Sequence, residues 1–140
     1  MPTLRPPLPL RGLLLVDALT CAVMGLLLAV AAGPIAALTA IPSALLFEAG
    51  LALFPIAAFI AWVATRAPIR SAGAWTVIAG NALWVAGSVL LLVAGWIAPN
   101  GLGVAFIALQ ALAVAALALL ERHALGGTRA PSVAGVGAAP

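Results

Sequence analysis

The sequence predicts an all-α integral membrane protein, a bundle of four transmembrane helices. Hydrophobic residues make up 66% of the 140-residue chain and charged residues only 6%, whereas soluble domains have about 25% charged residues. Four apolar segments are each long enough to cross a bilayer as a helix, which takes about 20 residues. Because so few side chains are charged, no soluble fold could cover its surface, and we expect the lipid bilayer to be its solvent.

The first predicted span, residues 12–32, follows an arm (1–11) that contains four prolines and two arginines. Prolines at this density oppose helix formation. The same region could be a signal peptide with a small-residue cleavage site at 29–31. However, Asp17 interrupts the apolar run and three further spans follow, so we expect an uncleaved helix. An uncharged turn is predicted at 33–42.

The other three spans complete a single transmembrane domain, residues 12–122. They are predicted at 43–65, 74–98 and 102–120. A polar break with two arginines separates the second span from the third, and Pro99-Asn100-Gly101 forms a turn before the fourth. Residues 123–140 are rich in Gly, Ala and Pro and are predicted to be a disordered cytoplasmic tail.

The arginines set the expected orientation. With four spans, all six cationic side chains fall on one side of the membrane, and the two loops on the other side carry no charge. They are Arg5, Arg11, Arg66, Arg70, Arg122 and Arg129. Because positive residues concentrate in cytoplasmic loops, this pattern predicts that both termini are cytoplasmic. The net charge of +3 thus reports membrane orientation, and no nucleic-acid partner is expected.

Polar residues inside the spans are candidate functional sites, because ionisable groups in hydrocarbon normally face a bundle interior or a cavity. With a rise of about 1.5 Å per residue, Asp17 and Asn81 are predicted to share a layer near the cytoplasmic side. Glu48, Gln110 and Ser88 are predicted to form a second layer near the outer side.

Each of these residues has a functional and a structural interpretation. Glu48 is either a site that binds a proton or a cation, or a neutral acid that is hydrogen-bonded to Gln110 or to backbone freed by Pro55. For Asp17 we favour a structural ion pair with Arg66 or Arg11, whose long side chains could reach it. Pro55 marks either a moving hinge or a simple kink.

Small residues recur at helical spacing on the last two spans, where they would let another helix approach closely. The third span carries a seven-residue repeat, Gly73, Gly80, Gly87 and Ala94, which we call the glycine stripe. The fourth span carries Ala108, Ala111, Ala115 and Ala118. A shift of 62 residues aligns the two helical hairpins, and whether they are a true repeat stays open.

Several classes of function are disfavoured by what the sequence lacks. The one histidine lies outside the spans, so neither a bis-histidine haem nor a Ser-His-Asp set is expected within them. The single Cys21 excludes an internal disulfide and a multi-cysteine metal site. We therefore expect no enzyme activity, no metal and no cofactor.

Residues 81–114 and 45–64 resemble a group of short bacterial four-helix integral membrane proteins of no known activity. The resemblance implies a bacterial inner-membrane protein and carries over no functional residue. The function we expect is that of a structural or accessory subunit that packs in the lipid bilayer against itself or other membrane proteins. The alternative is a small oligomeric proton- or cation-linked transporter that uses Glu48.

Overall fold

A computed structural model describes residues 9–128 of the chain. It contains four helices in antiparallel succession, all long and apolar enough to cross a membrane. They are α1 (Leu10–Thr39), α2 (Ser43–Thr65), α3 (Ser71–Val93) and α4 (Gly101–Gly127). The predicted all-α, four-helix class is confirmed. Large apolar side chains such as Val30 (77% exposed) and Leu83 (74% exposed) cover the outside, as a helix surface facing lipid requires.

Helix α1 is longer than the predicted span at 12–32. It continues through Pro34 to Thr39, so most of the turn predicted at 33–42 is helical. A proline ring inside a helix clashes with the carbonyl four residues earlier and removes one hydrogen bond. The helix accommodates this with a kink at Ala31 (φ −109°, ψ 21°) and ends at Thr39, just before Ala40, whose φ is +56°.

Helix α2 begins and ends as predicted, whereas α3 and α4 differ from their predicted bounds. The third helix stops at Val93 because Gly95 adopts a left-handed φ of +69°, the conformation that commonly ends helices. The fourth helix begins at Gly101, capped by the side chain of Asn100, and runs to Gly127. The first residues of the predicted tail, 123–127, are therefore helical, and 129–140 lie outside the described residues.

Helices α1 and α2 contact each other closely at a point where two glycines meet. A Cβ on Gly50 would stand 2.8 Å from the backbone nitrogen of Ala29 and 2.9 Å from the carbonyl oxygen of Gly25. Only a residue without a side chain allows the two backbones to come this close. The Gly25–Gly50 crossing thus fixes the spacing of the first hairpin.

The four helices form an open arc in the order α2, α1, α4, α3, with a gap between α2 and α3. Helix α1 packs mainly against α2 and also against α4, which packs against α3, whereas α2 and α3 hardly meet. A Cβ on Gly73, near the start of α3, would stand 3.1 Å from the Val63 side chain, but one on Gly80 or Gly87 would have nothing within 4 Å. The gap therefore widens away from the loop that joins α2 to α3.

Four of the arginines gather at one end of the bundle, which we call the arginine end. Arg11 donates a hydrogen bond to the carbonyl of Arg66 (2.9 Å), whose guanidinium carbon lies 4.4 Å from the centre of the Trp62 ring. Arg70 precedes α3 and Arg122 lies near the end of α4. Arg5 and Arg129 lie outside the described residues.

The opposite end, the distal end, is held by Asn100. Its backbone N–H donates to the carbonyl of Thr39 (3.0 Å), and its side-chain amide donates to the carbonyl of Leu38 (2.8 Å). Its side-chain oxygen accepts from the N–H of Gly103 (3.0 Å). One residue thus caps α4 and ties it to the end of α1.

Candidate functional site

Two carboxyl groups and an amide meet inside the bundle near the arginine end. The Asn81 side-chain nitrogen donates to Asp17 Oδ2 at 2.8 Å and to Glu121 Oε2 at 3.4 Å. Cys21 Sγ donates weakly to Asp17 Oδ1 at 3.8 Å. These residues come from α1, α3 and α4, so the acid cluster, as we call Asp17, Asn81 and Glu121, forms only when three helices assemble.

Glu121 is fully buried and Asp17 is 1% exposed. Glu121 Oε1 has no hydrogen-bond partner among the described residues. The groups that act on the Asp17 carboxyl are Asn81, Glu121 and Cys21, none of which is cationic. Burying two carboxylates without a cation costs several kcal/mol, which makes this cluster the candidate functional site.

The structure unites Asp17 with Asn81, the two residues predicted to share a layer. The ion pair favoured for Asp17 is not what the structure shows: Asp17 accepts from Asn81 and Cys21, and Arg11 donates to a backbone carbonyl. The third member of the cluster, Glu121, is not among the predicted site residues, because the predicted fourth span ends at Leu120. Helical periodicity could have found it, since Gln110, Val114, Leu117 and Glu121 follow the three-and-four spacing.

A second polar group lies farther toward the distal end. Trp84 Nε1 donates to Gln110 Oε1 at 2.9 Å, and Gln110 Nε2 donates to Ser88 Oγ at 2.9 Å. The Ser88 hydroxyl donates to the backbone carbonyl of Trp84. Trp84, Gln110 and Ser88 therefore form a closed set of hydrogen bonds, the tryptophan–glutamine clasp, which ties α3 to α4.

Glu48 is near this clasp but does not belong to it. The Gln110 amide, one of the two partners that the structural interpretation offers Glu48, is hydrogen-bonded to Trp84 and Ser88 instead. Glu48 is exposed and lines the same cavity as Ser88 and Gln110. Glu48 therefore borders the open space between α2 and α3.

Two adjoining cavities occupy the gap between α2 and α3. The distal cavity, about 580 Å³, is lined by Glu48, Ser88 and apolar side chains. The proximal cavity, about 420 Å³, has mostly apolar walls, and its polar lining residues are Asp17, Thr20, Thr76, Asn81 and Gln110. Four residues border both of them: Met24, Gly80, Trp84 and Gln110. The tryptophan–glutamine clasp thus stands between a cavity beside Glu48 and a cavity beside the acid cluster.

The sequence predicts a hinge or kink at Pro55 and close helix packing along the glycine stripe, and the structure differs at both places. Helix α2 passes through Pro55 without an irregular residue, and Pro55 lines the proximal cavity. The irregular backbone lies in α1 instead, at Ala31. Within the stripe, Gly73 contacts Val63, whereas Gly80 and Gly87 line cavity space.

Comparisons with protein-family models, with curated proteins and with solved structures find no match for this chain. The four apolar helices are compatible with a small membrane protein. Within residues 9–128, no group of three or more His, Cys, Asp or Glu side chains is arranged to hold a metal ion.

Proposed function

We propose that the protein is a small proton-linked membrane transporter in which Asp17 and Glu121 together hold an exchangeable proton. The observation that carries the proposal is the fully buried Glu121, whose Oε1 lacks a hydrogen-bond partner among the described residues and whose neighbour is a second acid. Acidic residues inside membrane bundles commonly mark proton relays and ion pathways.

The geometry supports a proton rather than a purely structural contact. Asn81 is a donor to both carboxyl groups, but an ionised carboxylate only accepts hydrogen bonds, so two of them cannot bond each other. A proton on one carboxyl removes their repulsion and supplies the missing donor. A structural contact between helices would need only one acid and one amide.

The two cavities support the proposal that a transported species moves along the bundle. The proximal cavity reaches Asp17 and Asn81 from within the gap, and Trp84 and Gln110 of the clasp are among the four residues that border both cavities. Opening the Trp84–Gln110 bond would join the two spaces into a path along most of the bundle. This proposal replaces Glu48 with the acid cluster as the proton site, and it includes no enzymatic reaction and no cofactor.

A vesicle assay tests this proposal. Purified protein is reconstituted with a pH-sensitive dye inside, and a membrane potential, negative inside, is imposed. We expect acidification in vesicles with the native protein, and none above empty vesicles with Glu121→Gln, which keeps the shape but cannot ionise. Gly33→Leu, on α1 and outside the lining of both cavities, is the control and retains the flux. Loss of flux in Glu48→Gln but not in Glu121→Gln would instead favour Glu48 as the proton site.

The second candidate is the structural or accessory subunit that packs against itself or against other membrane proteins. The observation that favours it is the open side of the arc, where Gly80 and Gly87 could receive a helix of another chain. Gly87→Leu would fill that space. A fall in the native oligomer mass in mild detergent upon this substitution supports this candidate, and an unchanged mass counts against it.

The proposed location is the bacterial inner membrane with both termini in the cytoplasm. Its support is the clustering of Arg11, Arg66, Arg70 and Arg122 at one end. A cysteine placed at Ala37, near the distal end, in a Cys21→Ala background reports the orientation. Reaction with a membrane-impermeant reagent from outside is expected, and reaction only from the cytoplasmic side would contradict it.

A further inference from the structure

We propose that the distal cavity binds an aromatic or otherwise lipophilic organic cation, with Glu48 as its counter-ion. This inference rests on the proposed function and names the substrate class of the transporter. The cavity measures about 580 Å³, within the range of about 300 to 1,000 Å³ that small-molecule sites occupy. Its walls are apolar apart from a few polar groups, as such sites usually are.

The charge in the cavity selects a cation. Glu48 is the acidic residue in its lining. Every arginine within residues 9–128 lies at the arginine end, and the sequence contains no lysine. The carboxylate therefore lacks a protein cation nearby, and a ligand that neutralises it must bring its own positive charge. A lipid acyl chain or an apolar helix of another chain would leave the charge uncompensated in hydrocarbon.

The aromatic side chains favour an organic cation over a metal ion. Trp84, Trp96 and Phe106 line the same cavity as Glu48. Aromatic faces attract ammonium groups by about 0.5 to 2 kcal/mol, most strongly where water is excluded. A hydrated metal ion would gain little from these apolar walls, whereas an organic cation gains both the ring faces and the apolar burial.

The gap between α2 and α3 supplies the route by which a cation enters the distal cavity. Gly80 and Gly87 form part of the cavity wall, and nothing lies within 4 Å of a side chain built on either. The cavity therefore opens sideways toward the bilayer, where lipophilic cations partition. Because a Cβ at position 87 meets no atom within 4 Å, a larger side chain there begins in open space and serves as a steric block.

Isothermal titration calorimetry of the full chain in mild detergent tests the inference with two isosteric probes. Phenyltrimethylammonium carries the charge, and tert-butylbenzene is its uncharged carbon analogue. We expect the native protein to bind the cation and to bind the neutral probe more weakly. Glu48→Gln should weaken cation binding about 10- to 100-fold, as loss of a bond to a charged group does. Gly87→Leu should abolish it.

Gly33→Leu is the matched control, because Gly33 also has open space around it but lies on α1, outside the cavity lining. It should bind as the native protein does. Equal affinity for both probes, unchanged binding in Glu48→Gln, or no cation binding at all would overturn the inference. The vesicle assay with Glu121→Gln contains no organic cation, so its result shows separately whether the proton-linked function stands.

Discussion

The Gly25–Gly50 crossing gives the sharpest structural prediction, Gly50→Ala. A methyl group there would stand 2.8 Å from Ala29 N, 2.9 Å from Gly25 O and 2.9 Å from Leu28 Cβ, whereas ordinary contact begins at 3.4 Å. Two of these three atoms are backbone, so neither can rotate away, and α1 must move from α2. Overpacking of this kind costs about 1 to 3 kcal/mol.

Gly87→Ala is the matched control, because both glycines are helical and each substitution gains about the same helix propensity, roughly 1 kcal/mol. Only the surroundings differ, since nothing lies within 4 Å of a Cβ at Gly87. We would measure unfolding in mixed detergent–SDS micelles by tryptophan fluorescence. The free energy of unfolding of Gly50→Ala should be lower than that of Gly87→Ala by about 1 to 3 kcal/mol. Equal stability of the two variants would refute the close crossing of α1 and α2.

Three further predictions use the same unfolding assay. Asn100→Ala should lower the free energy of unfolding by about 1 to 2 kcal/mol, because it removes the α4 cap and the bond to Leu38. An unchanged stability would contradict the role of Asn100 in joining α4 to α1. Asn81→Ala should lose about 1 to 3 kcal/mol, since both acids lose their donor, and a companion Glu121→Gln change should recover part of that loss. Gln110→Leu should lose only about 1 kcal/mol, because hydrogen bonds between membrane helices average about 0.6 kcal/mol; a loss several times larger would mean that the clasp dominates α3–α4 packing.

The fold was largely predictable because hydrophobic length alone decides which segments can span a bilayer. Helix α2 has the bounds that its sequence predicts, whereas α1 does not, because prolines are tolerated inside membrane helices when the freed backbone finds other partners. Pro34 was therefore taken as a turn although the helix passes through it. Gly50 attracted no prediction, since its role depends on where α1 crosses α2.

The depth of the site residues along their helices was predictable, but the direction in which each side chain points was not. The rise per residue placed Asp17 level with Asn81, and the two side chains do meet. The same reasoning placed Glu48 level with Gln110, but depth does not say which way a side chain points around its helix, and Gln110 turns to Trp84 and Ser88. Glu121 is absent from the predicted site because a charged residue directly after an apolar run indicates the end of a span, although Glu121 lies on the same face of α4 as Gln110.

The central claim is that Asp17 and Glu121 share an exchangeable proton inside the bundle. Infrared difference spectroscopy of the reconstituted protein measures this directly, because a protonated carboxyl has a C=O stretch that an ionised carboxylate lacks. We predict a carboxylic-acid band that disappears on alkalinisation in the native protein, is absent from Glu121→Gln, is altered in Asp17→Asn and persists in Glu48→Gln. Superimposable spectra of the native protein and Glu121→Gln would contradict the claim.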